Sequence, residues 1–197
     1  MRSELLLIME FKLNTMASSE KEWQRLSSEV GPDLKLFRAR WDEMRNPRNK
    51  KSQKMIVLQS RDAVNVVAVN ADKKIIFVRQ YRFGIGDFTL ELPGGLFDMD
   101  EAVEAAAKRE LREETGYVSN KWSVLGKVAS NPVFMDSYIH HYLADKAEAK
   151  FDLDLDEGED VEIVEIPIDE VKRKLYAGEF LHPHTVSALL LYFHGKN

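Results

Sequence analysis

Cysteine is absent from the 197 residues of this chain. Without thiols the protein can form no disulfide, no thiolate zinc site and no cysteine nucleophile. A long hydrophobic run near the start is also missing, because the apolar stretch from Leu5 to Met9 is too short for a signal-peptide core. From these absences we expect a soluble, cytoplasmic protein without a membrane partner.

An excess of positive charge is likewise missing. The chain has 28 Lys and Arg against 33 Asp and Glu, for a formal net charge of -5. A protein that binds nucleic acid mainly by neutralising phosphates needs a basic surface, so no nucleic-acid partner is expected. An anionic substrate would need a locally arranged cation instead.

The composition allows one substantial core, since 44% of the residues are hydrophobic and only six are proline. Residues 1–34 lack clean periodicity and are expected to form an N-terminal extension with no assigned role. Residues 35–60 predict a hairpin-like β module, with strands at 36–41 and 54–59 around the polar turn 46–49. Residues 61–197 are predicted to form the main domain.

The main domain is predicted to contain a sheet with helices packed on it. Apolar and β-branched runs predict strands at 63–69, 74–79, 88–92, 122–129, 137–144 and 161–166. Helices are predicted at about 100–115, at 169–176 and at 185–193. Gly116 is expected to end the first helix, and Asp169 is expected to cap the second.

The predicted helix at 100–115 carries glutamates where apolar residues are expected. At about 100° per residue, the core-facing stripe around Val103 comprises Ala106, Ala107 and Leu111. Glu110 and Glu114 fall on that stripe, and Glu113 lies at its edge. Unpaired carboxylates in a low-dielectric setting are costly, and two of them one turn apart repel, so a cation is the expected partner.

Three carboxylates without histidine or thiol favour Mg²⁺ or Mn²⁺ over zinc. Such a metal indicates phosphate chemistry, because Mg²⁺ bridges to substrate phosphates and can activate a water. The preceding Pro93-Gly94-Gly95 turn fits, since glycine lets the backbone approach an ion and a carbonyl there could complete its ligand shell. The alternative is that the glutamates simply pair with Arg109 and Arg112 at helical spacing.

These residues match a known pattern. Gly95 is followed after five residues by Glu101 and after seven more by the run RELREETGY, residues 109–117. The spacing resembles the Nudix box at every fixed position, with Tyr117 standing where the family more often has an aliphatic residue. The resemblance extends over roughly residues 35 to 195. It implies an α/β fold, the Nudix α/β/α sandwich around a mixed β-sheet, and a structural ion pair between Glu101 and Arg109.

The resemblance also implies how a metal would be held. Glu110 and Glu114 would be the principal ligands, and the Gly94 carbonyl would supply a backbone ligand. Glu113 would be a further ligand and would take part in catalysis. The implied cofactor is Mg²⁺, with Mn²⁺ as the alternative.

Two features outside the box resemble ADP-ribose and nucleotide-sugar pyrophosphatases. Pro132 lies sixteen residues beyond Gly116, the spacing at which that subfamily has a proline. The acidic stretch 156–160 resembles the loop that carries the catalytic base, a carboxylate that takes a proton from the attacking water. Glu157 is the first choice for this base and Glu159 the second, the alternative being a solvated turn.

A third feature concerns substrate contacts. The run VRQYR, residues 78–82, followed by LELPGG, residues 90–95, resembles the same subfamily. It implies that Arg82 contacts the substrate diphosphate, with Arg79 and Glu91 as further substrate-binding candidates. Because neighbouring strand residues face opposite sides, only one of Arg79 and Gln80 can face the site, and Arg82 could already lie beyond the strand. We therefore favour Arg82 over Arg79.

Aromatic residues of the N-terminal module have two interpretations. Trp41 and Phe37 could stack an adenine, as the equivalent module does in this subfamily, often across a dimer interface. Ordinary packing is the alternative for each residue. A homodimer is expected from the resemblance alone. The remaining candidates for metal binding match no spacing with the box and are expected to be structural, namely His140, His141, His182, His184 and His194.

The sequence thus predicts a metal-dependent hydrolase of a nucleoside diphosphate sugar. With ADP-ribose the products would be AMP and ribose 5-phosphate. One alternative is another nucleotide sugar of the GDP-mannose type. A second is a sensor that binds such a nucleotide without cleaving it, which the intact box and the missing DNA-binding domain disfavour.

Overall fold

The computed structural model describes residues 22–155, 158 and 160–195. The chain divides into two compact units between Ser60 and Arg61. Among the residues described, no helix is long and apolar enough to cross a membrane.

The first unit contains an antiparallel sheet in the order β1-β2-β3. Its strands are β1 (Gln24–Asp33), β2 (Arg38–Arg45) and β3 (Ser52–Gln59). Two of these strands were predicted, although β2 starts later than expected because Leu34 to Phe37 form a turn closed by a 2.7 Å hydrogen bond from Leu34 N to Phe37 O. Strand β1 was not predicted, because its residues are almost all exposed and carry no alternation.

The second unit contains one mixed sheet in its described part, in the order β10-β5-β4-β9-β7, with β6 added to β5 and β8 added to β9. Strands β4 and β9 are parallel, and the other neighbours are antiparallel. The strands are β4 (Ala63–Asn70), β5 (Lys74–Arg82), β6 (Asp87–Glu91), β7 (Tyr117–Val118), β8 (Lys121–Ala129), β9 (Tyr138–Ala149) and β10 (Val161–Pro167).

Helices cover both faces of this sheet. Helix α1 (Val103–Thr115) packs on one face, while α2 (Ile168–Tyr176) and α3 (Pro183–His194) pack on the other. Because strand residues alternate, Val64 and Val66 of β4 face α1 and Val67 faces α3. All three valines are buried, as expected for a strand covered on both faces. The predicted α/β/α sandwich around a mixed sheet is confirmed.

Two helix boundaries follow from local chemistry. Gly116 ends α1 in the left-handed conformation, with φ 71°, and its N–H donates to Arg112 O at 2.8 Å, as the sequence predicts. The expectation that Asp169 caps α2 is wrong. The helix starts one residue earlier at Ile168, after Pro167, which offers no capping side chain.

Acid is expected to destabilise the fold through buried histidine. Burial, followed by the nearby His184 and His140, lowers the pKa of His141 to about 4, against about 6.5 when the chain is unfolded. Between pH 6.5 and 4, His141 therefore binds a proton in the unfolded chain but stays neutral in the folded protein. The stability from neutral His141 is complete above that pH and is lost as the pH falls toward 4.

From this histidine alone, the free energy of unfolding should fall by about 2 kcal/mol between pH 7.5 and 5. Urea unfolding at several pH values checks this, with His141→Gln as the comparison. The variant should lose less stability over the same interval. Equal pH slopes for the two proteins would contradict the prediction.

Candidate active site

Two glutamates of α1 are buried beside apolar residues. Glu110 is 8% exposed and Glu114 is 4% exposed, next to Leu111, which is fully buried. The predicted position of both carboxylates on the core-facing stripe is therefore confirmed. A buried carboxylate needs compensating donors or cations, and their sources define the site.

The Pro93–Gly95 turn provides a hydrogen-bond donor for one of these carboxylates. It runs between β4 and α1, where the carbonyls of Pro93 and Gly95 accept 2.9 Å hydrogen bonds from Val66 and Val64. The intervening Gly94 N–H donates to Glu114 Oε2 at 2.8 Å. The turn is thus bound to the sheet on one side and to the helix on the other.

Both glycines of the turn are required by space. Gly94 has φ 156°, and a Cβ there would lie 2.1 Å from Val64 O. A Cβ on Gly95 would lie 2.7 Å from both carboxylate oxygens of Glu110. Because real Cβ atoms essentially never come this close to other atoms, larger residues would displace the strand or the carboxylate.

Arg109 provides a compensating positive charge. Its Nε and Nη2 bind both oxygens of Glu101, at 2.9 and 3.0 Å. Its Nη1 lies between Glu110 Oε1 at 2.8 Å and Glu113 Oε2 at 3.0 Å. The pKa of Arg109 is raised, first by the hydrogen bonds to Glu101 and then by Glu113 and Glu110, although burial opposes the rise.

The ion pair between Glu101 and Arg109 is confirmed. Glu101 precedes the helix in a bend, where its N–H donates to Asp98 O at 3.0 Å, so its side chain is not fixed to the solvent side of the helical wheel. The alternative that the glutamates pair with arginines also holds in part, since Arg109 contacts Glu110 and Glu113 and Arg112 contacts Glu113 at 3.3 Å.

The donor set at this place suits a hard divalent cation. Carboxylates from Glu110, Glu113 and Glu114 offer oxygen only, and the missing Cβ of Gly95 leaves the room that the Glu110 carboxylate needs. Within residues 22–155, 158 and 160–195, however, no three acidic, histidine or cysteine side chains converge as a ready metal cage. Arg109 Nη1 lies between two of the carboxylates instead.

A further buried carboxylate lies on β6 and forms a second cluster with its partners. Glu91 is 1% exposed, and Arg82 binds it through Nε at 2.6 Å and Nη2 at 2.7 Å. Thr89 Oγ1 also donates to it, and His182 Nδ1 lies 3.1 Å from Oε2. Burial raises the pKa of Glu91, but Arg82, His182 and Thr89 together bring it below the ordinary value.

The two candidate arginines of β5 face opposite sides. Arg82 is the last residue of β5, so the expectation that it could lie beyond the strand is wrong. Arg79 points to the other face, where its guanidinium carbon lies 4.1 Å from the centre of the Phe88 ring and Nη1 lies 3.1 Å from Glu162. Alternation along the strand therefore separates the two, and only Arg82 shares a cluster with Glu91.

The predicted base and the predicted aromatic contacts are not among the described residues of these two clusters. The catalytic-base candidates Glu157 and Glu159 lie outside the described residues. The loop that leads to them starts beside α1, since Asp154 N donates to Glu113 O at 2.9 Å. Trp41 and Phe37 belong to the first unit, where Trp41 is 38% exposed on β2.

Two residues near Glu91, His182 and Thr185, could not be predicted from any motif in the sequence. His182 immediately precedes α3, and Thr185 lies in its first turn. Burial lowers the pKa of His182 to about 4 although Glu91 opposes this, so the ring is neutral at pH 7. Neither residue has a motif, because only the docking of α3 brings them to β6.

The NUDIX domain family matches residues 59–187 of the chain. The chain belongs to the Nudix hydrolase family. It is 32% identical to the ADP-ribose pyrophosphatase of Bacillus subtilis (strain 168) over 142 residues, which cover 72% of this chain and 77% of that protein. It is 31% identical to the ADP-ribose pyrophosphatase of Mycobacterium tuberculosis over 179 residues, 87% of this chain and 84% of the relative.

A solved structure of an ADP compounds hydrolase superposes with a TM-score of 0.79 and 27% identity, covering 90% of this chain and 96% of that one. This Nudix hydrolase therefore shares the fold of that ADP compounds hydrolase over 90% of its length. The family resemblance stated from the box is confirmed.

Adding one methyl group at Gly95 should disable this Nudix hydrolase while leaving its fold intact. In Gly95→Ala the new Cβ would meet the Glu110 carboxylate at 2.7 Å. Displacing that carboxylate should lower the hydrolase rate by roughly 10- to 100-fold, the size of effect expected when a side chain of an active site is shifted. The measurement is the initial rate together with a thermal melting curve.

Gly84→Ala is the matched control, because a Cβ there meets nothing within 4 Å. It should keep the wild-type rate. A Gly95→Ala enzyme as active as this control would contradict the placement of Glu110 in the site.

Proposed function

We propose that this Nudix hydrolase cleaves the pyrophosphate of a nucleoside diphosphate sugar, with ADP-ribose as the first candidate. The observation that carries the proposal is the pair of buried carboxylates, Glu110 and Glu114, set against the Pro93–Gly95 turn. Two relatives that are ADP-ribose pyrophosphatases support the choice of substrate. The products would be AMP and ribose 5-phosphate.

The proposed metal ligands are Glu110, Glu113, Glu114 and the carbonyl of Gly94. A bound Mg²⁺ or Mn²⁺ would supply an activated water and would neutralise charge that grows on the phosphate oxygens. For Glu110 and Glu113 to share such an ion, Arg109 Nη1 has to move from between them. Its Nε and Nη2 bonds to Glu101 give the guanidinium an anchor while it does so.

Arg82 is proposed to hold the diphosphate. Glu91 binds two of its guanidinium nitrogens and thereby fixes the plane of the group, while 45% of the Arg82 side chain stays exposed. An arginine fixed in this way loses little freedom when it binds phosphate. Glu91 is accordingly proposed to act on substrate binding through Arg82, and Arg79, engaged by Glu162, is a weaker candidate.

In the proposed reaction, a water oxygen attacks one phosphorus of the pyrophosphate. The bond from that phosphorus to the bridging oxygen breaks, and the leaving phosphate takes the bond's electron pair. A loop carboxylate, Glu157 first and Glu159 second, takes the proton from the water. The start of this loop beside Glu113 supports the assignment.

Further proposals concern the assembly and its setting. We propose a homodimer, in which Trp41 and Phe37 of the N-terminal sheet contact the substrate base. We also propose that the enzyme acts in the cytoplasm. Residues 35–60 as a contact module and 61–197 as the hydrolase domain remain part of this proposal.

The carboxylates of α1 can be tested against a solvent-facing glutamate of the same helix. Glu110→Gln and Glu114→Gln should each lower the rate of ADP-ribose cleavage by roughly 100-fold or more, because each loses a charged metal ligand. Glu104→Gln is the control, since Glu104 is exposed and pairs with Lys108 at 2.6 Å on the solvent side of the helix.

Rates are followed by chromatography with ADP-ribose, GDP-mannose, UDP-glucose, NADH, diadenosine polyphosphates and dNTPs. Preference for dNTPs or dinucleotides would overturn the substrate class. Binding of ADP-ribose without turnover would favour the sensor alternative. Wild-type rates in Glu114→Gln would overturn the proposed metal site.

The general base can be separated from its neighbour in the same loop. Glu157→Gln should lower kcat by roughly 10²- to 10⁴-fold and abolish the acidic limb of the pH–rate profile, because the variant has no carboxylate to deprotonate. Glu159→Gln should keep most of the rate and the wild-type profile. The reverse pattern would assign the base to Glu159, and unchanged profiles in both variants would exclude this loop.

A further inference from the structure

Two buried polar atoms lie on neighbouring strands beneath α3. Asn65 Oδ1 and His141 Nδ1 have no hydrogen-bond partner among the described residues. Residue Asn65 is 5% exposed, and residue His141 is 0% exposed. Asn65 pairs with His141 in the parallel register of β4 and β9, so both side chains project from the same face of the sheet. Leaving such atoms unsatisfied is costly, so each pair of this kind needs an explanation.

The surrounding hydrogen bonds make both atoms acceptors. Asn65 Nδ2 donates to Leu92 O at 3.2 Å, which assigns Oδ1 as the other end of the amide. Ser187 Oγ donates its only hydrogen to His184 O at 2.9 Å. The 3.0 Å contact between Ser187 Oγ and His141 Nε2 therefore uses a hydrogen on Nε2. Because the ring is neutral, its Nδ1 carries a lone pair.

Two buried acceptors on paired residues of one sheet face both need a hydrogen, and a single group with two hydrogens can supply both. We propose that Asn65 and His141 enclose one water molecule, which donates one hydrogen to Asn65 Oδ1 and the other to His141 Nδ1. A buried water of this kind satisfies polar groups that the protein cannot pair directly. The neutral ring and the neutral amide match a neutral ligand and offer no charge to hold an ion.

The water site is connected to the candidate active site through Leu92. Asn65 Nδ2 binds the Leu92 carbonyl, and Thr185 Oγ1 accepts from the Leu92 N–H at 3.2 Å. Both main-chain groups of the residue before the Pro93–Gly95 turn are thus held by side chains. Asn65 is therefore a positioning residue for the turn, and the water orients its amide. The relevance of this positioning to a metal rests on the proposed function.

The hydration of the pair is tested directly on the wild-type enzyme. A high-resolution crystal structure should show one water within hydrogen-bond distance of both atoms, about 2.7–3.2 Å from each. In solution, the Asn65 side-chain amide should show a nuclear Overhauser effect to a long-lived water. A dry, closed contact between the two side chains would overturn the proposal.

A double-mutant cycle tests the energetic coupling. Asn65→Leu and His141→Leu should each lower Tm by on the order of 5 °C, because each leaves the partner atom unsatisfied. The double variant should lose clearly less than the sum, since both polar groups are then replaced by apolar ones. Strictly additive shifts would overturn the shared water. His140→Leu is the control, because His140 binds Asp62 at 3.0 Å and should show no coupling to Asn65.

Positioning of the turn has a readout that needs neither metal nor substrate. The Gly94 N–H, protected by Glu114, should exchange with solvent roughly tenfold faster in Asn65→Leu, while amides in the middle of α1 keep their rates. Unchanged Gly94 exchange would overturn the positioning role. If positioning matters to the metal, Mn²⁺ affinity measured by electron paramagnetic resonance should also fall roughly tenfold.

Different results would overturn the proposed metal site and the inference about Asn65 and His141. If Glu110→Gln binds Mn²⁺ as tightly as the wild type, the proposed metal site is wrong, whereas the water and the coupled Tm shifts still decide the inference about Asn65 and His141. If Glu110→Gln loses Mn²⁺ but Asn65→Leu keeps wild-type affinity and wild-type Gly94 exchange, the positioning role alone is wrong.

Discussion

The hydrogen bond from Gly94 N–H to Glu114, made inside a turn that also binds β4, is the contact on which the site depends. It joins the sheet to the last turn of α1. A side chain at Gly94 would collide with Val64 O, so only glycine allows the turn to pass so close to the strand. With the turn in place, Gly95 leaves the space that the Glu110 carboxylate occupies.

Buried negative charge is the cost of this arrangement, and arginine offsets it twice. Arg109 contacts the α1 carboxylates while anchored to Glu101, and Arg82 binds Glu91 with two nitrogens. Buried ion pairs of this kind contribute little net stability, because desolvation consumes most of the attraction. Their value here is geometric, since the bidentate contacts hold planar groups in one orientation beside the turn.

Residues of α3 and β4, on the other side of the sheet from α1, hold main-chain and side-chain groups of the site in place. Helix α3 brings Thr185 to the Leu92 N–H and His182 to Glu91, while β4 brings Asn65 to the Leu92 carbonyl. Ordinary packing of α3 against the apolar face fixes these polar contacts, because Ala188 and Leu189 are fully buried there. The residues that shape the site thus come from both faces of one sheet.

The sequence by itself determined the α/β class, the extent of most strands and the end of α1 at Gly116. It also placed Glu110 and Glu114 on the core-facing side of α1, where carboxylates need a partner. These features depend on local periodicity and on fixed spacing, which neighbouring residues encode. Strand β1 was missed because its exposed residues carry no alternation. Only the tertiary structure decided which arginine of β5 meets Glu91, where Arg109 Nη1 lies, and that Asn65 faces His141. Asn65 and His141 are far apart in the chain, so strand register brings them together. Arg82 and Arg109 contact residues nearer in sequence, but the register of β5 with β6 and the bend that places Glu101 decide which partner each reaches.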